Sequence, residues 1–90
     1  MEIWNYLVFN TLIEQIGTMH YVVVIEETET GYSAYVPDLP GCISVGSSHD
    51  EIEKNIQEAI LFHIEGMKED GIKIPEPKSQ ALTMIIPHVA

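Results

Sequence analysis

Residues 31–42, GYSAYVPDLPGC, contain the segment that decides the fold. The aromatic and β-branched residues over 32–36 are typical of a strand, and two prolines and a glycine then interrupt it within five residues. Leu39-Pro40-Gly41-Cys42 fits a type II turn, because proline fixes φ at the second position and glycine accepts a positive φ at the third. Pro40 and Gly41 are therefore predicted to be structural turn residues.

The residues on either side of this segment predict two more strands. His20–Glu26, HYVVVIE, is apolar at nearly every position, and Thr28–Gly31 forms a turn with Gly31 placed for a positive φ. A strand that is apolar on both faces is either central or covered by a further element, such as the N-terminal segment or a second subunit. After the turn, Cys42–Val45 forms a short third strand.

A helix with clear start and stop signals follows. Ser48-His49-Asp50-Glu51 is a capping box, in which Ser48 accepts from an early backbone N–H and Glu51 reaches back to Ser48. Gly71 and Ile72 match the Schellman pattern at the other end. The apolar stripe of the helix consists of Ile52, Ile56, Ala59, Ile60, Ile64 and Met67.

The predicted fold class is α+β, with a small β-β-β-α-β domain over residues 19–90. Its last strand is predicted at Leu82–Ile86, and Pro87 confines that strand to an edge or an end. Residues 1–18 form an N-terminal extension, which is predicted to be helical because its apolar residues recur every three to five positions.

The charge of the chain favours some partners over others. Fourteen acidic residues against four basic ones give a formal net charge of −10, which favours a basic macromolecular partner and argues against direct nucleic-acid binding. No apolar run approaches the roughly 20 residues that a membrane span needs. With Cys42 as the single cysteine, no internal disulfide is possible. We expect a cytoplasmic protein with no membrane association.

The sequence contains no recognisable catalytic constellation. The histidines lack metal-ligand spacing, the serines lack a GxSxG setting, and Cys42 has no activating neighbour. Glu26 and Asp38 form the one tempting carboxylate pair, but the last strand carries no acid and a solvated acidic surface explains the pattern better. We therefore expect no enzymatic activity, no cofactor and no bound metal.

Leu61 and Phe62 predict a contact between subunits. Leu61 points about 180° away from Ile52 on the helix, so it lies on the face that should be solvated. Two adjacent apolar residues there, in a domain with a marginal core, favour a homodimer or a larger oligomer.

Three features together resemble the HicB antitoxin family over about residues 19–78. They are GYSAYVPDLPGC, the capped helix that reads NIQEAILFHIEGMKEDG, and IPEP; their combination is specific, unlike any one of them alone. The resemblance implies a reduced RNase H-like fold. It also implies an antitoxin of a type II toxin–antitoxin pair, which binds a HicA-like toxin, a small basic protein that cleaves mRNA, and blocks its active site.

HicB proteins often continue into a helix-turn-helix or ribbon-helix-helix domain that binds their operator. This chain ends at Ala90 with no such segment, so the resemblance implies a stand-alone form. The toxin contact is predicted on the acidic hairpin and the turn, at Glu26, Glu27, Glu29 and Asp38. Two alternatives remain open, a free-standing oligomeric interaction module without a toxin partner and a degenerate metal-dependent nuclease.

Overall fold

The computed structural model describes residues 18–88, in which three short strands precede one long helix. The elements are β1 (Val24–Glu27), β2 (Tyr32–Tyr35), β3 (Ile43–Gly46) and α1 (His49–Glu69). The strands lie in the order β1-β2-β3 and both pairings are antiparallel. The predicted α+β class is confirmed. The predicted N-terminal helix lies, except for Thr18, outside the described residues.

The pairing register decides which side chains face α1. Ala34 lies opposite both Ile25 and Ser44, and it is buried in the same core cluster as Ile52 and Ile56 of the helix. Directly opposed residues share one face of a sheet, and successive residues alternate between faces. The helix therefore covers the face that carries Ala34, and Tyr35, the next residue along β2, lies on the opposite face.

The core depends strongly on the loop between β2 and β3. Within residues 18–88, the buried apolar residues are Ala34, Val36, Leu39, Cys42, Ile52 and Ile56. Half of them belong to residues 36–42, and Leu39 in the middle of the loop has no exposed surface. Burial of a leucine side chain contributes about 1.5–3 kcal/mol relative to exposure, so this loop supplies much of the apolar burial that holds the sheet to the helix.

The same loop contains a type II turn. The Cys42 N–H donates to the Leu39 carbonyl at 3.0 Å, and Gly41 has a φ of 84°. A side chain at this φ is strained whatever space surrounds it, and the nearest atom to an added Cβ is Cε1 of His63 at 3.9 Å. Strain at Gly41 is therefore conformational and not steric.

One arm of the predicted capping box is wrong. Ser48 Oγ accepts from the Glu51 N–H at 3.1 Å, as the sequence predicts. The Glu51 carboxylate, however, accepts from the N–H and the hydroxyl of Ser47, at 2.6 and 2.9 Å, instead of reaching Ser48. Ser47 offers two donors to one oxygen, and these hydrogen bonds lower the pKa of Glu51.

The predicted C-terminal end of the helix has the expected geometry. Gly71 has a φ of 67°, the Ile72 N–H donates to the Met67 carbonyl at 2.9 Å, and the Gly71 N–H donates to the Lys68 carbonyl at 3.1 Å. These are the two hydrogen bonds of a Schellman motif.

Two predictions about the first hairpin are wrong. The strand expected over His20–Glu26 begins only at Val24, because β2 is four residues long and pairs with no more than Val24–Glu27. Gly31 does not have a positive φ, which within residues 18–88 occurs at Gly41 and Gly71. It is required for space instead, since an added Cβ would lie 2.3 Å from the Gly46 carbonyl oxygen.

The strand predicted at Leu82–Ile86 is not formed. No strand is assigned between residues 72 and 88, and Leu82, Met84, Ile85 and Ile86 are all exposed, Ile85 by 90%. A strand is stable only when its backbone groups pair with a neighbouring strand, and this segment has no such neighbour among the described residues.

Gly41 and Gly66 form a matched pair that tests the turn. Gly66 lies within the helix with no atom of another element near an added Cβ, so Gly66→Ala should raise the free energy of unfolding by about 0.5–1 kcal/mol. Gly41→Ala should lower it by about 1–2 kcal/mol because of its positive φ. Urea unfolding of both variants measures the difference, and changes of the same sign would contradict the turn geometry.

Candidate partner-binding surface

The face of the sheet that points away from α1 carries an exposed apolar patch. Tyr35 lies opposite Val24 on one side and Ile43 on the other, and Val45 lies two residues further along β3 on the same face. Ile43 and Val45 are each 70% exposed and Tyr35 is 41% exposed. We call these four residues the open sheet face. A contiguous apolar patch that contains an aromatic residue is typical of a protein–protein contact.

The sequence carried a signal for this face that the interpretation did not use. Ile43 and Val45 alternate with the small polar Ser44, and such an alternation places both apolar side chains on one side of a strand. Because a single helix covers one face of a sheet, the alternation also identifies the face that stays bare.

Three of the four acids predicted to bind a partner lie at one end of the sheet. Glu26 lies opposite Ser33, which in turn lies opposite Val45, so Glu26 shares the open sheet face. Glu27 is the next residue along β1 and is exposed, and Glu29 is exposed in the hairpin turn. The open sheet face therefore has acids at its hairpin end, next to Val45, while Tyr35 and Ile43 lie towards its other end.

Asp38 lies at the opposite end of β2, in the loop that follows Tyr35. Its Oδ2 accepts from the N–H groups of Lys78 and Ser79, both at 2.8 Å, and its Oδ1 accepts from the Ser79 hydroxyl at 2.9 Å. The backbone N–H groups of Ser79 and Lys78 are the main cause that lowers the pKa of Asp38. The structure thus separates Asp38 from the hairpin acids and gives its carboxylate three partners within the chain.

Tyr21 holds the same C-terminal segment at a second point. Its hydroxyl donates to the Pro75 carbonyl at 2.5 Å. Burial raises the pKa of Tyr21, and the charges of Asp38 and Glu76 raise it further. We refer to the contacts of Tyr21 and Asp38 with residues 75–79 as the C-terminal clamp.

The carboxylate pair of the nuclease alternative is not brought together. Glu26 lies towards the hairpin end of the sheet, whereas Asp38 is hydrogen-bonded to Lys78 and Ser79 beyond the other end. In the part of the chain from 18 to 88, no three His, Cys, Asp or Glu side chains converge as metal ligands would. Cys42 is 3% exposed, and burial raises the pKa of its thiol.

Leu61 and Phe62 are exposed on α1, by 64% and 82% respectively. Their exposure agrees with the helical spacing, and the subunit contact predicted there stays a prediction. Among the described residues, no helix has the length and apolar character needed to cross a membrane.

Comparisons with known proteins agree with this geometry. A family model described as the HicB-like antitoxin of bacterial toxin–antitoxin systems matches residues 21–88. A 14.9 kDa protein from the rep–hol intergenic region of Haemophilus phage HP1 is 48% identical over 58 residues, which are 64% of this chain and 44% of the phage protein. Antitoxin HicB 2 of Photorhabdus laumondii is 31% identical over 62 residues, 69% of this chain and 45% of that protein.

A solved structure, the HicA3 and HicB3 toxin–antitoxin complex, contains a chain of similar fold. It is 37% identical with a TM-score of 0.60, over 66% of this chain and 70% of that chain. The chain spans less than half the length of the phage and Photorhabdus relatives.

The hydrogen bonds of Asp38 predict a specific dependence on pH. Because the folded state lowers the pKa of Asp38 below its ordinary value of 3.8, this carboxylate stabilises the fold above that value, and the contribution is lost as the pH falls through the lowered pKa. Asp38→Asn should therefore reduce stability at neutral pH, and the stability of the variant should fall less steeply on acidification than that of the wild type.

Glu58→Gln removes the same charge from an exposed helix position and serves as the control. Urea unfolding between neutral pH and acid pH measures the slope, and amide hydrogen exchange at Lys78 and Ser79 measures the local effect. Identical acid profiles for the two variants, with unchanged exchange at both amides, would contradict the role of Asp38.

Proposed function

The chain belongs to the family of HicB-like antitoxins of bacterial toxin–antitoxin systems, and we propose that it binds and neutralises a HicA-like toxin. The observation that carries this proposal is the fold shared with a chain of the HicA3–HicB3 complex, at 37% identity and a TM-score of 0.60. Antitoxin HicB 2 of Photorhabdus supports the same assignment.

The toxin contact is proposed on the open sheet face together with the acids at its hairpin end. Tyr35, Ile43 and Val45 offer exposed apolar area, and Glu26, Glu27 and Glu29 place negative charge beside it. An apolar centre with charges at its margin combines desolvation with electrostatic selection of the partner. Asp38, although predicted from sequence as part of this contact, is proposed to act indirectly through the C-terminal clamp.

The partner is proposed to be a small basic protein that cleaves mRNA, and the pair is proposed to act in the cytoplasm. The net charge of −10 would attract such a partner over a distance of about one Debye length, roughly 8 Å at physiological salt. A toxin with a basic RNA-binding surface would then be blocked by a protein that presents acids in place of phosphates. This mechanism requires no catalysis by the antitoxin, and we propose that it has none.

The proposal predicts neutralisation of the toxin encoded beside this chain. Co-expression should restore growth that the toxin alone arrests, and the two proteins should co-purify. Charge attraction also predicts that the association rate falls as salt concentration rises. An association rate that does not change with salt concentration would contradict the role of charge. Failure to bind any adjacent small basic protein would favour the free-standing oligomeric module instead.

Two triple variants with equal net charge locate the contact. Reversal of the hairpin acids, Glu26→Lys, Glu27→Lys and Glu29→Lys, should slow association at least about tenfold, because local complementarity is lost. Reversal of three helix acids, Glu58→Lys, Glu65→Lys and Glu69→Lys, changes the net charge by the same amount. This second variant should slow association much less. Stopped-flow association measures both, and equal effects would place the contact elsewhere.

A second pair tests the apolar part of the surface. Val45→Asp places a charge on the open sheet face, whereas Leu61→Asp places one on the exposed side of α1. Val45→Asp should raise the dissociation constant of the toxin complex at least about tenfold, and Leu61→Asp should leave it unchanged. Isothermal titration calorimetry measures both, and the reverse order would move the contact to the helix.

A further inference from the structure

The segment over residues 82–86, LTMII, has the composition of a strand but pairs with no strand within residues 18–88. Leu82, Met84, Ile85 and Ile86 are exposed by 81%, 66%, 90% and 72%. Four large apolar side chains within five residues are an unusual surface for a small soluble domain. The backbone of such a segment would gain pairing, and its side chains burial, from contact with a sheet edge.

The C-terminal clamp directs this segment away from its own sheet. Tyr21 contacts Pro75, and residues 18–20 line a shared cavity with residues 76–80. The chain after Pro75 therefore runs antiparallel to residues 18–21, in the direction opposite to β1. To reach its own β1, the segment would have to reverse its course directly after Ser79, which Asp38 holds in place.

An apolar groove lies beside β1, the strand at the edge of the sheet. It is lined by Val23, Ile25, Ile56 and Ile60, together with Glu53 and Gln57. In the described part of the chain β1 pairs with β2 alone, so its outer edge retains backbone groups that an added strand could pair with. The groove and the edge together provide burial and hydrogen bonding for one further strand.

We propose that residues 82–86 of one copy add as a strand along β1 of a second copy, over this groove, and that the exchange is reciprocal. A reciprocal exchange has two-fold symmetry and forms a closed dimer with both segments buried. Residues 22–27, β1 and the two residues before it, are long enough for a five-residue strand, which spans about 17 Å.

Charge favours this segment as the part of a second copy that occupies the groove. Two chains with a net charge of −10 repel each other, so a contact between copies is least unfavourable where acids are absent. Residues 77–90 form the longest stretch of the sequence without an acidic residue, and Lys78 lies at its start. This inference concerns the antitoxin alone and does not rest on the toxin partner.

The mass of the full-length protein in solution tests the exchange. Sedimentation equilibrium at micromolar concentration should give the mass of two chains. Leu82→Asp should convert it to one chain, whereas Leu61→Asp, on the helix surface where the sequence predicted a subunit contact, should leave the dimer intact. A wild-type monomer, a Leu82→Asp dimer, or dissociation by Leu61→Asp would each overturn the proposal.

Complementation distinguishes exchange from simple stacking of two copies. Val23→Glu blocks the groove but keeps the exposed segment, and Leu82→Asp does the reverse, so each variant alone should be monomeric. An equimolar mixture should regain the two-chain mass, because the intact segment of one fits the intact groove of the other. Native mass spectrometry identifies the mixed dimer, and its absence would overturn reciprocal exchange.

Circular dichroism checks that each variant folds. If Val23→Glu loses its helical signal, the mixture is made with Gln57→Arg instead, since Gln57 lines the groove from an exposed position. Because neither measurement includes a toxin, failure of the exchange and failure of toxin neutralisation are observed separately.

Discussion

The inward packing of Leu39 is the interaction on which the rest of the structure depends. The type II turn places this side chain, with no exposed surface, among the buried residues of the sheet and helix. Val36 and Cys42 enter the core from the same loop, and the Val36 N–H donates to the Cys42 carbonyl at 3.2 Å. Asp38, one residue before Leu39, holds Lys78 and Ser79. A single loop therefore joins the sheet, the helix and the C-terminal segment.

The small size of the domain explains why it offers surfaces to partners. One helix packed on three four-residue strands covers one sheet face and leaves the other exposed. Residues 18–88 supply no second layer over that face, and small domains bury a smaller share of their surface than large ones. Among the described residues, the open sheet face therefore keeps apolar side chains exposed, and the outer edge of β1 keeps backbone groups without a strand partner.

Local signals predicted the existence of β1, β2 and β3, the turn at Gly41 and both ends of α1, because Ser48, Gly41 and Gly71 act through nearby backbone groups. Features that depend on residues far apart in the sequence were harder to predict. The sequence predicts a positive φ at Gly31, whereas glycine is required there because the Gly46 carbonyl oxygen leaves no room for a Cβ. The strand over Leu82–Ile86 was predicted from its composition, which says nothing about where a partner edge lies. The alternation of Ile43 and Val45 indicates a bare face, but only the register places Tyr35 and Val24 beside them. The resemblance to HicB proteins supplied the partner class that no residue pattern could.

Because Cys42 is buried, its reaction with thiol reagents can be used to measure local unfolding of the loop. This single cysteine lies at the last position of the turn that positions Leu39, and it is 3% exposed. The thiolate is the nucleophile that attacks a thiol reagent, and it must be exposed to do so, so labelling of a buried thiol requires the surrounding structure to open first. The rate at which Cys42 is modified therefore measures how often the loop separates from the helix, without any probe being introduced into the chain.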